Sequence, residues 1–440
     1  MRTGTTKALR WLPVAAALAL VATACGSDDD GPAATDDGGD GAVAPDPDGE
    51  YSGEVTMWIM GDAGDPVGNS VNEMVAAFEA EHEDVSVTVE YVPWTAGKDH
   101  YTSAIIAGDM PDIAESGNTW TADFAEEGVL APVDLSGAEY VPVLEESATI
   151  NGAAYGYPWY GGSRVLLYRT DILDQAGVEP PQTWDELFEV GQAIENEVGD
   201  IAPFQVAANN QHYFLPLVWQ AGGEIAAQDG DSWEPGYDTE AGHAALEFFQ
   251  DLWETGWSPA DAQTDDFTSL SLAEEFANGQ SAMLIALPWQ VTGIVDNNPE
   301  LEGNLGAVIM PEGPGGSRDT LAGGSHLVVF EDSPQKELAA ALAEFMIAPE
   351  QATSFAETTG FFPGTVAEAE ATVDESDWLS PVAADQFINH ARAYPVGGWW
   401  GAMEGATVVK DTLQELIAGN FTVEEAAQNL DSEIRSRVED

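Results

Sequence analysis

The spacing of apolar residues marks the start of a fold near Tyr51. Glu54-Val55-Thr56-Met57-Trp58-Ile59-Met60 is a strand-like run that stops at Gly61-Asp62. Val71, Met74, Val75 and Phe78 then recur at helical spacing, with Ser70 as the expected N-cap. Val85, Val87, Val89 and Tyr91 alternate as a second strand. Tyr101 to Ile106 reads as helix, and Met110-Pro111-Asp112-Ile113-Ala114 as a turn and short strand. This β-α-β-α-β order predicts a parallel sheet covered by helices. Ligands on such sheets sit beyond the carboxyl ends of the strands, here the loops 61–68 and 116–120.

The pattern continues with Tyr155-Gly156-Tyr157-Pro158-Trp159-Tyr160 and the strand Val165-Leu166-Leu167-Tyr168. Thr183 and Glu186 have capping-box spacing, so a helix starts there. Further helices are predicted over 239–254, 271–277 and 333–348. In the last, Leu338, Leu342, Phe345 and Met346 form one stripe and Pro334 takes the first helical position. A final helix begins at Thr422, again with Glu three residues on, and carries Ala426, Leu430 and Ile434. No repeat of 20–50 residues is visible.

The N-terminus has a different pattern. Residues 1–10 are basic. Residues 11–24 are apolar but short of the roughly 20 residues that span a bilayer. Ala22-Thr23-Ala24-Cys25 follows, with small residues before the chain's single Cys. This is a secretory signal in form. It resembles a bacterial lipobox, which implies cleavage after residue 24 and lipidation of Cys25. A plain cleaved signal with an incidental Cys is the alternative. Residues 26–50 hold eight Asp, many Gly and Ala, and Val43 as the one β-branched aliphatic. They read as a solvated acidic tether.

Of 440 residues, 78 are Asp or Glu and 12 are Lys or Arg, for a net charge of −66. Three of the cations, Arg2, Lys7 and Arg10, precede Cys25. Scattered cations cannot make the basic footprint that phosphate backbones need, which excludes a nucleic-acid partner. Adhesion to an anionic bilayer through charge is excluded in the same way, so contact with the membrane is expected only through the N-terminal lipid. The 44% apolar content and 14 Trp supply enough material for a core, despite the charge.

The motifs that carry catalysis are missing. Gly161-Gly162-Ser163 and Gly323-Gly324-Ser325 lack the final Gly of a nucleophile elbow. The six His show no metal-ligand spacing, and Gly313-Pro314-Gly315-Gly316-Ser317 has no Lys of a P-loop. Neither a metal nor a cofactor is expected. Paired carboxylates could suit a glycosidase, but among 78 acids some pair always looks suitable.

What remains are aromatics flanked by Gly or Pro. Trp159-Tyr160 precedes Gly161-Gly162, Trp289 follows Pro288, Trp399-Trp400 lies between glycines, and Trp120 follows Asn118-Thr119. Such residues read as loop aromatics, suited to a ligand with flat apolar faces and a polar rim. A pyranose fits that description: its C–H faces stack on rings and its hydroxyls need polar partners.

The chain resembles the extracellular solute-binding proteins of bacterial sugar ABC importers, the maltose-binding type. The resemblance runs from about Glu54 to Ile434. It is carried by Met57-Trp58-Ile59-Met60-Gly61-Asp62, Gly108-Asp109-Met110-Pro111-Asp112-Ile113, Phe124-Ala125-Glu126-Glu127-Gly128-Val129-Leu130, Tyr168-Arg169-Thr170-Asp171-Ile172-Leu173 and Phe276-Ala277-Asn278-Gly279-Gln280-Ser281-Ala282-Met283. Gly117-Asn118-Thr119, Arg164 and Gly323-Gly324-Ser325 look most like actinobacterial chitobiose-type binding lipoproteins.

The resemblance implies an α/β fold of two lobes, each a sheet flanked by helices, with the ligand in the cleft between them. Lobe 1 would comprise residues 51–161 plus about 320–375, and lobe 2 residues 162–319 plus about 376–440. Position by position, Asp62, Asn118, Thr119, Asn210 and His212 match polar sugar contacts, and Trp289 and Trp399 match stacking aromatics. Gly324 belongs to the matched Gly-Gly-Ser, and Trp120, Tyr160 and Trp400 complete the aromatic candidates. Gly162 stands where some relatives carry a binding Glu, a role that Arg164 could take. Each polar residue also has a plainer role: Asp62 as a helix cap, Asn118 in a turn, His212 in the interior, Arg164 in an ion pair.

The function expected is a lipid-anchored, monomeric binder of a neutral di- or oligosaccharide that delivers it to membrane permease subunits from the outer face of the cytoplasmic membrane. A secreted glycan hydrolase, or a carrier of another solute such as a polyol or peptide, are the rivals. The acidity is accounted for by a solvated surface suited to high salt, where the Debye length shrinks to about 3 Å at 1 M. Thermal unfolding should therefore move to higher temperature between low and molar NaCl. An unchanged midpoint would contradict the self-repulsion on which this rests.

Overall fold

The computed structural model describes residues 41–45, 49–230, 232–264 and 268–438. The signal region, Cys25 and most of the tether lie outside the described residues. Within the expected tether, Val43 is already seated on the folded body. It bridges Val133 in parallel, with its N–H on the Pro132 carbonyl at 2.7 Å.

The strands Gly53–Met60, Val85–Val92 and Ile113–Gly117 form the predicted parallel unit, with Gly53–Met60 in the middle. The helices Pro66–Glu81 and Gly97–Ala107 are its crossovers. The first of these starts earlier than its apolar stripe. Asp65 is the N-cap and accepts from Gly68 N–H at 2.7 Å, and Pro66 takes the first helical position. Ser70, the expected cap, is buried inside the helix. The first turn lies at the surface, so the apolar period could not announce it. A shift in the opposite sense occurs later: the helix expected from Ser333 runs Lys336–Ile347, so Pro334 precedes it. Pro349 instead opens the next helix, Pro349–Thr359.

Three later segments extend the sheet antiparallel. Across it the order is Phe362–Pro363, Tyr157–Ser163, Thr320–Val329, Ile113–Gly117, Gly53–Met60, Val85–Val92, and Ala391–Arg392 pairs with the start of Thr320–Val329 as a seventh strand. A second, four-stranded sheet has the order Leu305–Val308, Val165–Arg169, Ser281–Ala286, Ala202–Phe204. Its helices include Trp184–Glu197, Gln211–Gln220, Glu240–Glu254 and Val423–Val438, whose apolar faces share one core with Leu166, Phe204 and Met283. Thr183, Thr239 and Thr422 cap three of these helices through their hydroxyls, as their spacing to the first turn requires. The chain passes from the larger sheet to the smaller within one residue, Arg164, and returns between Val308 and Thr320. A further core joins the sheets, with Val165 and Leu284 from one, Ala322 and Phe362 from the other, and Phe387 between.

The centre of the larger sheet holds a carboxylate. Glu115 is fully buried on Ile113–Gly117. It accepts from Met60 N–H at 2.9 Å, Tyr160 Oη at 2.5 Å and Ser325 Oγ at 2.7 Å, so neutral donors on three neighbouring strands converge on it. Burial pushes its pKa up to about 7, against the pull of these hydrogen bonds. The folded state then holds a proton that the unfolded chain releases near 4.5, and stability falls as pH rises from about 4.5 to 7. Urea unfolding at pH 5 and pH 8 should differ by on the order of 2 kcal/mol from this residue. Glu115→Gln should lose that difference; an identical pH dependence in the variant would refute the assignment.

Candidate functional site

A cleft of about 270 Å³ opens where the two sheets meet. From the larger sheet it takes the strand-end loop Gly117–Trp120, Trp94 from the loop after Val85–Val92, and residues 321–324. Arg164 lies in the crossing itself. His212 and Leu287 come from elements around the smaller sheet, and Tyr394 and Glu404 from the chain's last quarter. Asn118, Thr119, Trp120, Arg164, His212 and Gly324 are thus brought together.

Local structure explains their positions. Asn118 locks the loop to the neighbouring strand: its N–H donates to Gly324 O at 2.9 Å and its side-chain amide to Ala322 O at 3.3 Å. Gly324 allows close approach, since a Cβ there would lie 2.5 Å from Tyr160 O and 2.8 Å from Leu144 Cδ2. Trp120 tilts against Trp94 with ring centroids 5.5 Å apart, so two indoles flank one side of the opening. His212 sits in the first turn of Gln211–Gln220, which Asn210 caps by accepting from Tyr213 N–H at 3.2 Å. Its Nδ1 is hydrogen-bonded to the Tyr394 hydroxyl.

Arg164 stands apart from the other cations. Lys98, Arg169, Arg318, Lys336, Arg392, Arg435 and Arg437 each hold a carboxylate at 2.5 to 3.6 Å. Among the described residues Arg164 makes neither an ion pair nor a hydrogen bond, although it is half-buried. Burial lowers its pKa, and the Tyr394 hydroxyl is the group that offsets this. Its guanidinium donors therefore face the cleft unengaged. Glu404 is the one carboxylate in the lining. Burial raises it to about 7, Lys98 opposing and Asp123 assisting the shift.

Six candidates fall elsewhere. The Asp62 side chain is exposed, and its N–H donates to Asp65 Oδ2 at 2.9 Å. Asn210 is a helix cap. Tyr160 is not a loop aromatic but a strand residue, packed between Phe355 and Phe361 with its hydroxyl on Glu115. Trp399 and Trp400 lie on the helix Gly398–Gly405 and are buried. Trp399 meets Trp233 edge-on at 5.4 Å, and Trp400 backs Tyr394 at 4.7 Å, one layer behind the cleft wall. Trp289, 44% exposed, borders a separate groove of about 1,000 Å³ with Asp65, Pro66 and Phe361. Trp94, Tyr394 and Glu404 were not foreseen. Trp94 had a signal, being an aromatic after a strand and next to Pro93; Tyr394 and Glu404 had none. Among the described residues no group of three or more His, Cys, Asp or Glu is placed to hold a metal ion, and no helix is long and apolar enough to cross a membrane.

Residues 61–353 match the family described as bacterial extracellular solute-binding protein. The diacetylchitobiose binding protein DasA of Streptomyces coelicolor is 30% identical over 350 residues, which cover 77% of this chain and 78% of that protein. The sugar-binding protein MalE of Xanthomonas citri superposes with a TM-score of 0.78 at 27% identity, covering 88% of this chain and 98% of that one. The GacH receptor of Streptomyces glaucescens superposes at 0.75 with 23% identity, covering 89% and 100%, and shares the fold. These structures are two-lobe binding proteins, and this chain shares their fold of sheets flanked by helices.

His212 supplies a direct check on the cleft's electrostatics. Burial, with Arg164 adding repulsion, lowers its pKa to about 3. The unfolded chain takes up this proton near 6.5, so His212 withdraws stability as pH falls below that value. Its ring nitrogens should show the neutral form by NMR from pH 8 down to pH 5. A titration midpoint near 6 would show that the ring is solvated instead.

Proposed function

The chain belongs to the family of bacterial extracellular solute-binding proteins, and from that premise we propose that it captures a neutral di- or oligosaccharide outside the cytoplasmic membrane and delivers it to the permease of an ABC importer. The observation that carries this reading is Arg164. A half-buried guanidinium without a partner, between paired indoles and the polar groups of Asn118, Thr119 and His212, is prepared for a ligand rich in oxygen acceptors and apolar faces. Sugars have that surface. Relatives named for diacetylchitobiose and for maltodextrin support the same class.

Lobe 1 holds the larger sheet and lobe 2 the smaller, with the first boundary at Arg164 because Ser163 still pairs with Ala322. The sugar bridges the lobes and favours the closed state by binding it more tightly than the open one. On this reading Cys25 is lipidated, and the binder works anchored to the outer face of the membrane, as a monomer. Binding without turnover is the expected chemistry, in keeping with relatives that are named as binding proteins.

Titration calorimetry against maltotriose, diacetylchitobiose and other neutral oligosaccharides should give heat with at least one of them, and product analysis should find no cleavage. Arg164→Ala should weaken binding by about 1.5–3 kcal/mol, roughly ten- to a hundredfold. Silence with all sugars together with binding of a peptide, or turnover of any sugar, would overturn the proposal.

A further inference from the structure

The helix Gly398–Gly405 faces two ways. Trp399, Trp400 and Met403 are buried with Leu166, Phe249 and Leu430 over the smaller sheet. The helix Thr121–Glu126 instead packs Ala122, Phe124 and Ala125 with Trp58, Met60 and Ala114 of the larger sheet. The two helices meet directly. Gly398 N–H donates to Glu126 Oε2 at 2.9 Å. Asp123 Oδ2 holds Lys98 Nζ at 2.7 Å, and this ion pair lies against Gly401.

A side chain at either glycine would have to displace the charged groups that face it across the contact. A Cβ on Gly401 would lie 2.1 Å from Asp123 Oδ2 and 2.6 Å from Lys98 Nζ, and one on Gly398 would lie 2.5 Å from Glu126 Oε2. Neither glycine has a positive φ, so the helix backbone does not require them. An isolated helix is more stable with Ala than with Gly at an interior position such as 401. Spaced three residues apart, the two glycines lie on one face, and what they permit is the approach of the opposite lobe.

The contact is also incomplete. Asp123 Oδ1 is buried without a hydrogen-bond partner, and burial raises the carboxyl's pKa. An orphaned carboxylate oxygen is costly in a permanent interface but suits one that forms and breaks. One turn on, the same helix carries Glu404 into the ligand cleft, where its charge faces Lys98, Asp123 and Tyr394. The contact and the cleft therefore form together.

We propose that Gly398–Gly405 is the latch of the closed state, docking through Gly398 and Gly401 onto Glu126, Asp123 and Lys98 of the opposite lobe, and that Gly401 is the position that lets the cleft close. The sugar reading enters only through what fills the cleft; the latch is a property of the chain itself.

The test uses Cys25→Ser protein with spin labels at the exposed positions Ile106 and Leu270, one on each lobe. Pulsed EPR distances are recorded without ligand and with millimolar maltotriose or diacetylchitobiose. The unaltered latch should populate a short distance that sugar enriches. Gly401→Ala should shift the distribution to longer distances and lower sugar affinity about tenfold or more, since binding is weakened by the loss of the competent fraction. Its thermal midpoint should hold or rise, because Ala favours the helix. Asp123→Ala with Gly401→Ala should recover the short distance, having removed the atom that the new methyl meets. A Gly401→Ala distribution identical to that of the parent, or an affinity loss that merely follows a loss of stability, would overturn the latch. Failure of every sugar to bind the parent would remove the sugar reading and leave the ligand-free distances to decide the latch.

Discussion

One residue separates two sheets. Ser163 completes pairing in the larger sheet, Val165 begins it in the smaller, and Arg164 is the whole of the link. Two β-structures joined so closely cannot sit far apart, and the core of Val165, Leu284, Ala322, Phe362 and Phe387 fills the space behind the crossing. In front of it the parallel strands end in loops, as any parallel sheet's strands do, and those loops face the same gap. The cleft is thus a consequence of the topology. Arg164, the free cation of the cleft among the described residues, is placed there by the crossing, not by any loop.

Charge gives that position its meaning. In a chain with 78 acids and 12 cations, a guanidinium without a carboxylate is an arrangement that packing must enforce. The fold enforces it by lining the cleft with Trp, Thr, Asn and a neutral His, and by raising the pKa of Glu404, the one carboxyl in the lining among the described residues, to about 7. Glu115 shows the same logic inverted. It is a buried carboxylate with no cation, held by three neutral donors from three strands. A cation in its place would be another charge to desolvate, whereas hydroxyl and amide donors tie the strands together at lower cost.

The sequence was most informative where local physics decides. The β-α-β-α-β unit, the Thr caps at 183 and 422, and the stripe through Leu338, Leu342 and Met346 are all short-range patterns, and all are present. Helix starts were misjudged at Ser70, because a first turn at the surface carries little apolar signal, and at Pro334, because Ser333 closes a turn there, its hydroxyl accepting from Gln335 N–H, before the helix begins. The aromatics were misjudged for a different reason. Glycines beside Trp159-Tyr160 and Trp399-Trp400 suggested loops. In fact Gly161 makes room for Phe387, whose ring would lie 2.8 Å from a Cβ, and Gly401 makes room for Asp123. Gly next to Trp marked close packing of elements. Tyr394 and Glu404 reach the cleft only through tertiary structure, so no local pattern could reveal them.

The strong negative charge and the chemistry of the site are in the end separable. A field of this size acts on charged partners over a Debye length and steers them; it exerts little net force on any neutral ligand. The acidic surface can therefore be set by solubility or by the surrounding salt while the cleft is set by Arg164, the indole pair and His212. The separation holds only while the cleft stays shielded from the surface acids. Lys98 is the cation at that boundary. It engages Asp123 and faces Glu404, so two carboxyl groups at the cleft's edge answer to one ammonium before their charge can reach the interior.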